Sequence, residues 1–557
     1  MKRWARIELA PPHRPCQATC LAVKKLLLAL WLAGVASGVP QMASGQMASR
    51  TLPCAHGIAD DAVAPAAKEA EEPHVASLVW IPAGTFAMGN SFTNLAASGQ
   101  EGYAPELPPH EVFVSSFWIG KYEVTNEELA RVFQWAYEAG LVAMTNLGSN
   151  VWCAVNTEGT NAQRLVYLNL DTSQVFFTNG VFAVAAGKSN FPCFHVTWHG
   201  ALAYGNYLSD LDGLARAVDF DSWTTDVSAE GFRLPTEAEW EKACRGGTPG
   251  THFPWANDAE QGTNHYMYSV DPRKANNVDF RYRTTIDGTN YLYVHQPRHP
   301  WSGEAVKTTP VGYYDGNQVV TNWYSNVWFQ GAGYGQIQDM ANGYGLYDMA
   351  GNVYEWCLDY MVTNWYSRAE SSGPDPVATN AGISFNSYRV FRGGGWTHYW
   401  PEIYDYDPSA LRCSFRASYP ASSRANYIGF RVARRPTAYE TWAVAAGLDP
   451  LATNGVADAD FDGDTFSNDD ERIAGTQPTN PASFFRVAGV GTVSNRVPLA
   501  YGAVSGRVTT VETATNLVPE GWQILATTTN AETGPAEFSA EAAEGRRFYR
   551  LRVREEP

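Results

Sequence analysis

The sequence predicts an irregular α+β fold divided among several domains, and three observations carry the prediction. At 557 residues the chain exceeds one hydrophobic core, so two to four domains are expected. Aromatic residues make up 13% of it, with 19 Trp and 29 Tyr beside 49 Gly, the composition of a loop-rich fold filled by large flat side chains. Two capping boxes open short helices among runs that read as strands. The net charge of −17, from 57 acids against 40 bases, disfavours nucleic acid or an anionic lipid surface as partner.

Residues 1–38 read as an export signal. Lys24-Lys25 precede the apolar run Leu26 to Val35, which is too short to span a bilayer, and small residues Ala36-Ser37-Gly38 follow. Residues 39–76 read as a flexible leader. No second long apolar stretch follows, so no transmembrane segment is expected. The expected location is exported: periplasmic, cell-surface or extracellular, with six cysteines in a disulfide-permissive compartment.

Globular structure is expected from Ser77. Leu78 to Gly89 reads as a strand pair turning at Pro82-Ala83-Gly84, and Val112 to Ile119 as further strand. Thr125-Asn126-Glu127-Glu128 is a capping box opening a helix whose Leu129, Val132, Phe133 and Ala136 share a face, ended by Gly140. Asn179-Gly180 between alternating runs is a hairpin signal inside an accessory flap over 141–190. A short helix is expected from about Gly200 to Ser209. His195 and His199 stand four apart, but Val196-Thr197 reads as strand, so they would share no helical face for a metal. Thr236-Glu237-Ala238-Glu239 is the second capping box, placing Trp240, Ala243 and Cys244 on one face. The three glycines Gly393 to Gly395 allow close backbone approach but lack a phosphate-loop lysine.

The stretch Asn342 to Trp356 combines glycines, acids and aromatics, and reads as a loop. Asp348, Glu355 and intervening carbonyls could form an all-oxygen site for a hard cation; the other reading is a tight turn with solvated acids. Further on, Asp458 to Glu471 is a calcium-loop pattern with two registers. The register starting at Asp460 is preferred: it offers Asp460, Asp462, Asp464, Asn468 and a terminal Glu471, and loses only the turn glycine to Thr465. Residues 484–557 alternate as strands and suggest a small β-sandwich.

Trp80-Ile81-Pro82-Ala83-Gly84, Tyr122-Glu123-Val124-Thr125-Asn126, Gly231 to Glu241, Asn342 to Trp356, Arg392-Gly393-Gly394 and Gly429-Phe430-Arg431 together resemble the sulfatase-modifying-factor family, the formylglycine-generating enzymes. The resemblance covers residues 77–436; residues 437–483 resemble dockerin-like or thrombospondin-type-3-like calcium repeats, and 484–557 form the remaining β domain. It implies an irregular domain related to the C-type-lectin-like group, and an oxidase that converts a sulfatase cysteine to formylglycine with copper and oxygen. It also implies calcium at Asp348, Gly351, Val353 and Glu355, a second calcium site including Asn277 and Val278, and a disulfide between Cys244 and Cys413.

The chain departs from that pattern where the family's copper cysteines should stand. His398 occupies the first cysteine's place, and no cysteine lies between Cys357 and Cys413. A lone imidazole holds Cu(I) far less selectively than a thiolate pair. Gly395 replaces a hydroxyl residue and Tyr354 a tryptophan, while Gly205 and Val432 stand where a further bridge would be. The expectation is therefore an exported, calcium-stabilised binding or accessory module whose partner is a sulfatase, another exported protein or a glycan; the alternative is an active oxidase.

Overall fold

The computed structural model describes residues 77–90, 104–255, 275–276, 280–286, 289–295, 305–320, 335–379, 388–397, 408–483, 485, 487–490, 496–515, 521–541 and 548–555. The signal and leader, 1–76, lie outside the described residues, as do Asn277, Val278 and His398. The described chain forms two compact units that divide between Thr437 and Ala438.

In the first unit, β1 (Leu78–Ile81) and β2 (Gly84–Met88) are strands, but they do not pair with each other. β2 pairs with β3 (His110–Val114), and β1 with β4 (Phe117–Gly120). The expected hairpin is corrected: Pro82 has no N–H to close it, and the strands' ladder partners lie some thirty residues on. α1 (Asn126–Glu138) starts on the Thr125–Glu128 capping box and buries Leu129, Val132, Phe133 and Ala136, the face read from the sequence. The flap region holds β5 (Val142–Gly148), β6 (Val151–Asn156) and β7 (Arg164–Leu168) in one sheet, and the hairpin β8 (Val175–Thr178) with β9 (Val181–Val184). Asn179 and Gly180 at its tip have φ of 51° and 83°, the left-handed pair such a turn requires. α2 (Trp198–Leu211) is longer than expected at both ends.

α3 (Glu237–Cys244) opens on the Thr236–Glu239 capping box, and all of its residues are buried, charges included. The one-face reading is therefore incomplete. Its acids meet arginines near and far: Glu239 pairs with Arg233 at 2.7 Å and Glu241 with Arg245 at 2.6 Å, both close in sequence, while Glu241 also meets Arg392 and Glu237 pairs with Arg416 at 2.6 Å. Buried charges persist only when paired in this way. Lys242 carries no such pair. Its Nζ donates to the carbonyls of Pro82 (2.6 Å), Gly84 (3.0 Å) and Val114 (3.1 Å), and burial pulls its pKa down to about 8. Replacing Lys242 by Met strands three carbonyls, and is expected to cost about 3 kcal/mol in a urea-unfolding measurement, at roughly 1 kcal/mol or more per orphaned group.

The central sheet runs β12 (Ala417–Pro420), β11 (Tyr388–Arg392), β10 (Tyr354–Tyr360) and β13 (Ile428–Gly429), antiparallel except for the parallel β10–β13 pair. β14 (Ala433–Arg434) joins the β1–β4 sheet. The Asn342–Trp356 stretch is a loop only as far as Val353; its last residues begin β10.

In the second unit, α4 (Ala438–Ala445) and α5 (Asn468–Ala474) precede two three-stranded sheets. One is β15 (Val487–Val490), β16 (Arg496–Ala503) and β19 (Gly534–Glu541); the other is β18 (Gln523–Thr529), β17 (Arg507–Ala514) and β20 (Phe548–Glu555). Leu499, Tyr501, Val511, Leu551 and Val553 pack between them with Ala474 of α5.

Candidate metal and cofactor centres

Glu355 is held at the start of β10 with no solvent exposure, and Arg431, just past β13, grips it: Nε to Oε2 at 2.6 Å and Nη2 to Oε1 at 2.6 Å. Trp240 Nε1 donates to Oε2 at 2.7 Å. Asp348, at φ 55°, accepts the Gly312 N–H at 2.5 Å. Glu123 completes the cluster: it accepts the Val353 N–H at 3.0 Å and the Asn352 amide at 2.7 Å. Burial pushes the Glu123 carboxyl well above its usual range, with Asp348 and Glu355 adding to the effect, and burial raises Asp348 to about 6. Of the three carboxyls only Glu355 is bonded to the Arg431 guanidinium, and its charge together with that of Asp348 adds to burial in raising Glu123.

The loop between them is fixed by backbone constraint. Gly351 has φ 97°, and a Cβ there would lie 2.4 Å from the Asn276 carbonyl, so only glycine fits. That same carbonyl accepts the Asn352 N–H at 2.7 Å, which ties the loop to the residue before Asn277. The structure therefore brings Asp348, Gly351, Val353 and Glu355 into one region. Of these four, Asp348 and Glu355 supply side-chain oxygens, so an ion would draw on the carbonyls of Gly351 and Val353 as well. Glu123, Trp240 and Arg431 were missed as members. Glu123 and Arg431 stand in the motifs quoted above, but neither motif reveals that they meet.

For copper, the donors present do not fit a thiolate pair. The position after Gly393-Gly394-Gly395 holds no cysteine. A Cβ on Gly395 would lie 3.1 Å from Tyr354 Cδ2, so the tyrosine ring presses on the place of the family's hydroxyl residue. Trp396 is fixed by its Nε1 on the Asn426 carbonyl at 2.9 Å. Cys244 and Cys413 are neighbours, as the resemblance implies: both are buried, with sulfurs 3.0 Å apart and no bond between them. Burial raises the Cys244 thiol well above its usual range, and the adjacent Cys413 adds to the shift. Cys153, Cys193 and Cys357 are also free and buried.

His195 lies before α2 and His199 in its first turn, so the two share no helical face. His195, at φ 60°, precedes α2, and its Nε2 lies 2.9 Å from Thr172 Oγ1. Burial lowers its pKa to about 3 and that of His199 to about 4, so both rings are neutral.

In the second unit, Asp460, Asp462 and Asp464 offer oxygens within 4.8 Å of one another, the one trio of metal-binding side chains among the described residues. Asp460 accepts the N–H groups of Gly463 (2.7 Å), Asp464 (3.2 Å) and Thr465 (2.8 Å), which curls the loop round it. Asp462 Oδ2, Asp464 Oδ2 and Glu471 Oε2 are buried without a hydrogen-bond partner. Burial, with Asp462, Asp464 and Asp460 nearby, raises Glu471 to about 7. Asn468 is placed differently from the expectation: its amide donates to the Asn454 and Val456 carbonyls and its oxygen accepts the Phe461 N–H, so it braces the loop from behind.

Fold and charge clusters define an irregular α+β domain whose core is built on buried arginine–carboxylate pairs. The chain belongs to the sulfatase-modifying factor enzyme 1-like domain family, which it matches over residues 63–436. It is 27% identical over 365 residues to the formylglycine-generating enzyme of Streptomyces coelicolor, covering 64% of this chain and 88% of that one. To the mouse formylglycine-generating enzyme it is 26% identical over 454 residues, 76% of this chain and 97% of the relative. It is also 25% identical over 364 residues to the serine/threonine-protein kinase pkn1 of Chlamydia caviae, 65% of this chain; the match spans 38% of the length of that relative. Among solved structures, Treponema denticola variable protein 1 matches with TM-score 0.36 at 22% identity, over 64% of this chain and 95% of that one. No helix among the described residues is long and apolar enough to cross a membrane.

Proposed function

We propose that this chain is an exported, calcium-stabilised binding or accessory module of the formylglycine-generating-enzyme family, without the copper oxidase chemistry. The observation that carries the reading is the missing thiolate pair after Gly393-Gly394-Gly395. Gly395, packed under Tyr354, supports it, because a side chain there would press on that ring, 3.1 Å from its Cβ. Calcium is supported by the Asp462, Asp464 and Glu471 oxygens buried without a partner, by Asp460 beside them, and by the acids gathered around Asp348 and Glu355. Export is supported by the Lys24-Lys25 and Leu26–Val35 pattern. The partner is a sulfatase, another exported protein or a glycan. The extent of the match to the mouse enzyme, 97% of its length, favours one competing reading, an oxidase ligated through His398. The two separate on a Cys-x-Pro-x-Arg peptide incubated with copper, oxygen and the full chain. Unchanged peptide mass is expected, with peptide binding measured in parallel; formylglycine formed catalytically would overturn the module reading.

A further inference from the structure

Six buried arginines of the first unit, Arg233, Arg245, Arg392, Arg412, Arg416 and Arg431, each pair with a glutamate. Arg389 of β11 is 8% exposed and makes no such pair among the described residues. Its Nη1 donates to the Leu358 carbonyl at 3.0 Å, while Nε is buried with no partner. Asp359 attracts it, but the two oxygens of Asp359 already accept the N–H groups of Glu237 (2.7 Å) and Ala378 (2.8 Å). The guanidinium carbon lies 3.6 Å from the centre of the Trp198 ring and 3.3 Å from that of Tyr360. Two rings that close cannot share one face of the plane, so both faces are covered and the Nε edge is left. Burial pulls the Arg389 pKa down to about 10, with Tyr360 and Asp359 offsetting it only in part. His199, beside Trp198 on α2, carries a second buried nitrogen without a partner, Nδ1. Burial and then the Arg389 charge lower its pKa, which sets the two side chains near each other. β12, paired with Arg389 through Tyr419, is the edge strand of the central sheet and half-buried throughout, so the site lies close to the surface.

We infer that the Nε edge of Arg389 is a binding site for an oxyanion, the carboxylate or sulfate group of a ligand, with His199 Nδ1 as a second donor. A buried polar atom without a partner marks a place for water or an ion. Charge decides between them. Water would satisfy the Nε hydrogen bond but not the buried positive charge, which needs a counter-charge in the low-dielectric interior. Arginine's planar fork takes two oxygens side by side, the geometry that carboxylate and sulfate share. The stacked rings hold that fork in place, so little side-chain freedom remains to be lost on binding. The net charge of −17 does not decide the matter, because at physiological salt exposed charges are screened beyond about 8 Å and the guanidinium dominates within the site.

Sodium sulfate and sodium acetate, each matched in ionic strength by sodium chloride, serve as probes in thermal unfolding of the full chain. At least one of them is expected to raise the unfolding temperature of the first unit above the chloride control and to saturate. Which of the two does so separates a tetrahedral anion from a planar one. Arg389→Met is expected to lose the saturable response. Arg389→Lys keeps a cation between the rings but not the fork, and is expected to weaken the apparent affinity at least tenfold; it carries the comparison if the methionine variant fails to fold. The general stabilisation by sulfate, which arises from its exclusion from the protein surface, is common to parent and variants. A parent chain with no response above chloride overturns the inference. So does a response that Arg389→Lys shares in full, because Arg389 is then only a cation held between two rings to brace the fold.

Discussion

Arg431→Leu is expected to cost the first unit at least about 4 kcal/mol, the range for breaking a buried ion pair by removing one partner. The loss follows from the count of charges. Glu123 and Glu355 are buried with Asp348 half-buried beside them, and Arg431 is the cation bonded to Glu355, through two contacts of 2.6 Å. The same guanidinium donates to the carbonyls of Gly120 at 2.9 Å and Tyr347 at 3.0 Å, so its removal also orphans backbone acceptors. The variant carries a second readout. If calcium occupies the Asp348–Glu355 region, it supplies countercharge that the leucine cannot, and millimolar calcium should raise the variant's unfolding temperature more than the parent's. Arg431→Lys, which keeps the charge but loses the fork, should fall between them. Equal responses of parent and Arg431→Leu would remove calcium from this site while leaving the ionic account intact. A loss below about 1 kcal/mol would remove both.

Local features of this fold were legible and remote ones were not. Both capping boxes are written within four residues, and Asn179-Gly180 within two, so α1, α3 and the β8–β9 hairpin follow from sequence alone. The β1–β2 hairpin failed because a turn signal does not exclude ladder partners such as β4. The burial of the α3 acids was not legible. They alternate with apolar residues as on a solvated helix, yet Glu237, Glu239 and Glu241 are at most 1% exposed, because Arg416, Arg233 and Arg392 neutralise them there. The Glu123–Val353 contact bridges 230 positions, and the Arg431–Glu355 pair 76. Asp348 and Glu355 could be named as a candidate pair from their spacing, but their shared arginine could not. The acidic loop at Asp460 was legible because its ligand pattern is contiguous, while the bracing role of Asn468 depends on carbonyls from the preceding turn.

Chelation is expected to lower the unfolding temperature of the second unit, and Asp462→Asn combined with Asp464→Asn to abolish that response. In the described loop, Asp462 Oδ2, Asp464 Oδ2 and Glu471 Oε2 are buried with nothing to satisfy them, a cost that a divalent ion converts into binding energy. The coupling to the sandwich is direct. Glu471 lies on α5, whose Ala474 is in the sandwich core, and Arg507 of β17 donates to the Ile473 carbonyl at 3.1 Å while Arg472 pairs with Glu555 of β20 at 2.7 Å. An ion bound at a hundred times its dissociation constant contributes about 2.7 kcal/mol to whatever unfolds with its ligands, here the sandwich as well as the loop. Thr465 adds an independent check. It stands at the turn position with φ 84°, a left-handed conformation that a β-branched residue adopts at a cost of roughly 1–2 kcal/mol, less the chain entropy that glycine would forfeit. Thr465→Gly should therefore tighten calcium binding severalfold by titration calorimetry. Calorimetric scans that show the second unit unfolding at the same temperature with calcium and with chelator would end the calcium reading of this loop. In that event Thr465→Gly should change stability without changing any calcium isotherm.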